Sequence, residues 1–342
     1  MSSPPPQGTL RGERVLVTGG DGFIGSHLVE RLLAEGAAVR ALALYNRSGN
    51  TGWLEEVDPE AASGDSGGTL DVRLGDIRDA EYVRRLVADV DVVFHLAALI
   101  SIPHSYEAPR SHVETNLMGT LNVLEAVRDS DARRMVHTST SEVYGTPSVV
   151  PITEKHELKG QSPYSASKIG ADKLVESYVR TYEVPAVVLR PFNTYGPRQS
   201  SRAVIPTVLS QLLAGQTELR IGSLTPRRDF TYVDDTVDGF VRMAVGAIEP
   251  GTVIHLGTGL SISVAELIER CVAITGNDAR VVTQSVRTRP GASEIEVLQS
   301  DPSRAAEILG WAPTVDLDRG LRLVADWLTP RIDPARAAKY AL

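Results

Sequence analysis

The stretch Ser162–Gly170, SPYSASKIG, holds two residues with the types and spacing for proton transfer. Tyr164 and Lys168 stand at i and i+4, so on a helix they share one face. A lysine ammonium beside a phenol favours the phenolate and draws the tyrosine pKa down. Such a group takes a proton from a substrate hydroxyl while a hydride leaves the same carbon. A second stretch, MVHTSTSEVYG over Met135–Gly145, opens as a buried strand and breaks into hydroxyls and one acid. Thr140, at that strand end, is placed to hold the same hydroxyl, with Ser141 and Glu142 directly after it. Glu142 is either a solvated loop residue or a base set to remove a proton. A tyrosine and a lysine at this spacing are common on helix surfaces, so the pair takes its meaning from its surroundings.

Upstream lies VTGGDGFIGSHL, with Gly19, Gly22 and Gly25 in a G-x-x-G-x-x-G spacing and Phe23 and Ile24 between the last two. The motif follows a strand pattern and opens a helix pattern. Glycine there permits a tight turn and close backbone approach to a pyrophosphate, which then sits on the helix N-terminus. A dinucleotide cofactor, NAD or NADP, is expected. The next strand pattern, VRALALYNRSGN, ends without the acid that would accept from an adenosine ribose. Arg47, just past it, is either a solvated loop cation or a contact for a 2′-phosphate. Asp76 and Ile77 in GDIRD are candidates for the adenine side, with a turn acid as the plain alternative for Asp76.

The elements that must position these residues alternate along the chain. RVLVTG, AVRALAL, DVVFHLAA, RRMVHTST and AVVLRPF read as strands, and HLVERLLAEG, VRRLVADV, GTLNVLEAVRDS and SKIGADKLVESYVRTY as helices. Apolar strands alternating with helices predict an α/β, Rossmann-type, doubly wound parallel sheet covered on both faces. DPEAASGDSGGTLD reads as a surface loop. Past Asn193, prolines punctuate shorter elements, which predicts a smaller second lobe packed beside the first. The expected divisions are a flexible lead-in over 1–12, a cofactor domain over 13–190 with returning elements near 229–258, a second lobe mainly over 191–330 and a tail over 331–342.

Composition bounds the rest. The 342 residues are 42% hydrophobic and 23% charged, with a net charge of −8 and no basic tract, so nucleic acid is not an expected partner. No apolar run reaches a bilayer span, and the N-terminal residues lack an apolar core like that of a signal peptide, so no membrane association is expected. One cysteine, Cys271, excludes an internal disulfide and fits a reducing, cytoplasmic setting. It reads as a small buried hydrophobe. His95 reads as packing and hydrogen bonding, and no metal site is expected from the histidine and acid spacings.

TGGDGFIGSHL, FHLAA, TSTSEVYG, YSASK and LRPFNTYGPRQ, in that order, resemble extended short-chain dehydrogenase/reductases of the sugar-nucleotide epimerase/dehydratase kind. The likeness runs from about Arg14 to Pro313. It implies a tightly bound NAD or NADP recycled in each turnover, with Leu96, Ala97, Ala98, Tyr164 and Lys168 also at the cofactor. It implies a nucleoside diphosphate sugar as substrate, bound by the C-terminal substrate-binding lobe, mainly 191–330, with Asn193, Arg228 and Arg289 near its phosphates and Arg198 also substrate-binding, and it implies a homodimer. A glutamate two residues after the strand-end threonine resembles the dehydratase signature. Serine between them resembles the GDP-mannose type, where the dTDP-glucose type has aspartate. YNRSGNTGWLE and EKHELKGQSPYSASKIGADKL are similar to dehydratases acting on nucleotide-linked N-acetylglucosamine. The resemblance thus implies a nucleotide-sugar 4,6-dehydratase acting on a UDP- or GDP-linked N-acetylhexosamine or hexose. UDP-glucuronate decarboxylase, 5,6-dehydratase and C4 epimerase stand as alternatives, and a non-catalytic nucleotide sensor as a remote one.

Overall fold

The computed structural model describes residues 9–284 and 290–334. Arg289 lies outside the described residues, as does most of the expected lead-in and tail. Where those two segments are described the chain is held. Leu10 is fully buried, and Arg331 pairs with Glu56 at 3.4 Å.

Seven parallel strands form the central sheet: β1 (Arg14–Thr18), β2 (Ala38–Leu44), β3 (Thr69–Gly75), β4 (Val92–His95), β5 (Arg134–Thr138), β6 (Ala186–Pro191) and β7 (Val253–Leu256). Their spatial order is β7-β6-β5-β4-β1-β2-β3. The order reverses between β1 and β4, and in such sheets a crevice opens at the strand C-termini on either side of the reversal. The period-two alternation of a strand sends neighbouring side chains to opposite faces. Val15 and Val17 join one core with Phe94, Val136 and Leu189; Leu16, Val93, Met135 and Val188 join the other. Helices α1 (Phe23–Ala34) and α6 (Val233–Val245) cover the first face. Helices α2 (Ala80–Val87), α3 (Gly119–Arg128) and α4 (Pro163–Tyr182) cover the second. Each fully buried Val or Leu contributes roughly 1.5–3 kcal/mol over leaving it exposed. The sheet is therefore a stiff platform, and its C-terminal edge is where precision is available.

The C-terminal elements are smaller. Helices α5 (Val204–Leu213), α7 (Val264–Thr275) and α8 (Leu317–Leu328) pack with strand pairs of two to four residues, such as Asn193–Tyr195 beside Phe230–Tyr232. Cys271 is fully buried on α7, and burial raises its thiol to about 12.

One stretch differs from the sequence expectation. DPEAASGDSGGTLD is not a plain loop. Asp58 caps a one-turn helix, Pro59–Ser63, accepting from the Glu60 and Ala61 N–H groups at 3.1 Å each, and the stretch then runs into β3. β3 is one of the two edge strands and only half buried, with Asp71 and Arg73 paired on it at 2.9 Å. An edge strand carrying charges lacks the apolar run that marks the inner strands. Among the described residues no helix is long and apolar enough to cross a membrane.

Candidate active site

The glycine turn joins β1 to α1. Gly19 has φ +72°, and a Cβ there would lie 2.8 Å from the backbone nitrogen of Ala97, so both its conformation and the approach of the β4 end require glycine. A Cβ on Gly25 would lie 2.0 Å from the Gly19 carbonyl oxygen. Gly22 is the N-cap of α1 and offers no side chain to satisfy its first N–H groups, so these suit an anion. Thr18 fixes the far wall. Its hydroxyl accepts from the N–H groups of Leu96 and Ala97 at 3.2 Å each and lies 2.8 Å from His95 Nδ1. His95 Nε2 lies 3.0 Å from Thr120 Oγ1. That histidine is buried and hydrogen-bonded at both nitrogens, in keeping with a packing role.

The reactive residues meet where β5 ends against the start of α4. Ser162 caps α4, accepting from the Ser165 N–H at 3.1 Å while Ser165 Oγ accepts from the Ser162 N–H at 3.0 Å, and Pro163 fills the first position. The helix thus begins a turn earlier than the apolar pattern suggests and includes Tyr164. Lys168 Nζ donates to the Thr138 carbonyl at 2.7 Å. Thr140 caps a short turn, Ser141–Tyr144, and its hydroxyl accepts from the Glu142 N–H at 3.2 Å. Burial pushes the Tyr164 phenol up; the Thr140 hydroxyl opposes this and the Glu142 charge adds to it. The direction is opposite to that expected from Lys168 alone. Burial also lowers the Lys168 ammonium, to about 8, against the attraction of Asp172.

A cleft of about 1940 Å³ runs over these groups. It is lined by the glycine turn, by Asp76, Ile77, Leu96, Ala97 and Ala98, and by Thr138, Thr140, Glu142, Tyr164 and Lys168. Asn193, Arg198 and Arg228 line its other side. Ser141, which is buried, and Arg47, which is exposed, are not among the lining residues. Asp76 holds Arg78 in a bidentate pair, with 2.6 Å from Nη2 to Oδ2. Arg198 is likewise bidentate, on Glu30 of α1 at 2.7 and 2.9 Å. Arg228 pairs with Glu294 at 2.9 Å and donates to the Ile295 carbonyl at 2.8 Å. Two buried polar atoms on the cleft, Thr138 Oγ1 and Asn193 Oδ1, have no hydrogen-bond partner among the described residues. An uncapped helix start on one side and unmatched polar atoms in the wall fit a dinucleotide and a polar substrate side by side. Among the described residues no group of three or more His, Cys, Asp or Glu could hold a metal ion.

Sequence reasoning passed over a buried network behind the strand end. Asp172 lies one turn beyond Lys168 on α4. Its Oδ2 accepts from Ser139 Oγ at 2.7 Å and from Arg190 Nη2 at 2.8 Å, and its Oδ1 is 3.3 Å from His137 Nε2. Burial would raise this carboxyl, but the adjacent His137 ring and the Arg190 guanidinium outweigh it and hold it down to about 2. Arg190 Nη1 donates to Tyr144 OH at 2.5 Å, which meets His255 Nε2 at 2.5 Å. The i+4 spacing from Lys168 was the available signal for Asp172. Nothing local marks Arg190, whose partner is 18 residues away.

Comparison with known proteins follows the same outline. Residues 16–324 match the family model described as GDP-mannose 4,6-dehydratase. A UDP-glucose 4-epimerase of Mycolicibacterium smegmatis is 35% identical over 314 residues, covering 90% of this chain and 96% of that protein. A dTDP-glucose 4,6-dehydratase of Actinoplanes sp. is also 35% identical, over 318 residues, covering 92% and 97%. The crystal structure of a double mutant of DesIV, a dTDP-glucose 4,6-dehydratase of Streptomyces venezuelae with NAD bound, superposes with a TM-score of 0.81 at 32% identity over 92% of this chain and 96% of that one. Epimerases and dehydratases are thus equally similar, and the chain belongs to the GDP-mannose 4,6-dehydratase family of sugar-nucleotide dehydratases and epimerases.

Proposed function

We propose that the chain is a nucleotide-sugar 4,6-dehydratase using NAD or NADP. Glu142 carries this reading. It lines the same cleft as Tyr164, two residues past Thr140, close enough that its charge acts on the phenol. Thr140 holds the sugar C4 hydroxyl and Tyr164 takes its proton. When bound, the oxidised nicotinamide accepts the C4 hydride and its positive charge favours the Tyr164 phenolate. The C4 ketone makes the C5 proton acidic, and Glu142 removes it. The C6 hydroxyl leaves as water, taking a proton from Glu142 or through solvent, since Ser141 is buried off the cleft and is a weak acid. Hydride returned to C6 and a proton returned to C5 give the 4-keto-6-deoxy sugar. Asn193 and Arg228 bind the substrate diphosphate, and Arg198 and Arg289 belong to the same proposal.

A UDP- or GDP-linked N-acetylhexosamine or hexose is the proposed substrate, on the strength of the motif resemblance. The protein is proposed to act as a homodimer, which sedimentation checks. A C4 epimerase is the second reading, supported by the M. smegmatis relative. Epimerisation needs only the hydroxyl, the tyrosine and the lysine and leaves Glu142 without a task. Mass analysis of products from UDP-, GDP-, dTDP- and CDP-sugars separates the readings. Loss of one water is expected; an isomer of unchanged mass means epimerisation, and loss of carbon dioxide means decarboxylation.

A further inference from the structure

No acid follows β2 in the sequence, yet the structure delivers a carboxylate to the end of that strand from elsewhere. Asp21 lies inside the glycine turn, between Gly20 and Gly22. Its Oδ2 accepts from the N–H of Leu44, the last residue of β2, at 3.1 Å. Its backbone is pinned too. The Trp53 N–H donates to the Asp21 carbonyl at 3.0 Å, and a Cβ on Gly52 would lie 2.6 Å from that oxygen. Asp21, Gly22, Leu44 and Trp53 all line the cleft.

The carboxylate is therefore fixed at the C-terminal edge of β2 and beside the pyrophosphate turn. In a Rossmann-type sheet that place belongs to the adenosine ribose. An ionised carboxylate has about four acceptor sites, and Leu44 uses one of them. The remainder can accept from ribose hydroxyls, which are donors, while a 2′-phosphate would meet like charge. The nearby cations do not reverse this balance. Arg78 is held bidentate by Asp76, Arg331 pairs with Glu56, and Arg47 is exposed and off the cleft.

We propose that Asp21 is this chain's ribose-reading acid and makes the site selective for NAD over NADP, by accepting from the 2′-hydroxyl and repelling a 2′-phosphate. The proposal rests on dinucleotide binding alone and stands apart from the reaction assigned above.

Equilibrium titration of the full chain, freed of bound nucleotide, with NAD, NADP and 2′-deoxy-NAD tests it without turnover; calorimetry or tryptophan quenching reads the binding. NAD is expected to bind about tenfold or more tighter than either analogue. Asp21→Asn, which keeps an acceptor for the Leu44 N–H, should narrow the NAD to NADP ratio by about tenfold. In Asp21→Ala, NAD and 2′-deoxy-NAD should bind alike. NADP binding to the wild-type chain as tightly as NAD would overturn the proposal, as would an unchanged ratio in Asp21→Asn. The wild-type ratios decide even where a variant fails to fold. A preference for NADP in the wild-type chain that Arg47→Ala abolishes would overturn the proposal and move the discrimination to Arg47.

Discussion

The two sides of the cleft are built differently. On the sheet side, Thr140, Tyr164 and Lys168 are set by backbone: a strand end, a capped helix start and a carbonyl that accepts from the lysine. Opposite them, Arg198 and Arg228 are engaged by carboxylates, Glu30 and Glu294, that lie 168 and 66 residues away in sequence, and Arg228 also donates to the Arg227 and Ile295 carbonyls. Backbone placement does not change when a ligand enters. An arginine engaged with a carboxylate meets a diphosphate only by sharing or exchanging that partner. The sheet side is therefore preorganised, whereas on the proposed substrate side an anionic ligand would share or displace existing ion pairs.

The largest expected effect tests the sheet side. Tyr164→Phe should lower turnover by about 10³-fold or more while nucleotide binding stays within a few-fold, measured by steady-state rates beside calorimetry. Retained turnover would remove Tyr164 as the base. Next is the network that holds the strand end. Asp172→Asn leaves the Arg190 charge buried without its partner and should cost about 3–5 kcal/mol in denaturant unfolding. The same carboxyl sets a pH dependence. Its folded pKa is depressed to about 2, so its contribution is present above the ordinary carboxylate range and is lost as pH falls toward 2. Unfolding midpoints of wild type and Asp172→Asn should converge over that range. The smallest effect tests the lobe side. Arg228→Ala should raise KM for the nucleotide sugar about tenfold with kcat little changed, the mark of uniform binding. A fall in kcat of the same size would place Arg228 in the transition state and erase the contrast between the two sides.

The same contrast explains what the sequence made legible. Runs such as AVRALAL and RVLVT carry enough buried β-branched and aliphatic residues to mark β1 and β2, and the glycine spacing marks the turn from β1 into α1. Tyr164 and Lys168 could be read because both sit within one helical turn. What stayed hidden depends on contacts between distant segments. Asp172 with Arg190, and Arg198 with Glu30, are tertiary pairs without a local pattern. β3 was hidden by charges on an edge strand. Asp21 was hidden in another way, because the search for a ribose acid followed β2 while the carboxylate comes from the turn before α1. Arg47, the residue that the strand-end search did find, is exposed and is not among the residues that line the cleft.

The central claim is that Glu142 removes the C5 proton, and solvent isotope incorporation tests it most directly. With the accepted sugar nucleotide in deuterium oxide, the wild-type chain should give a product lighter by one water and carrying deuterium at C5. Glu142→Gln should still form reduced nicotinamide, seen by absorbance, yet place no deuterium at C5. Deuterium entering C5 at the native rate in Glu142→Gln would contradict the account.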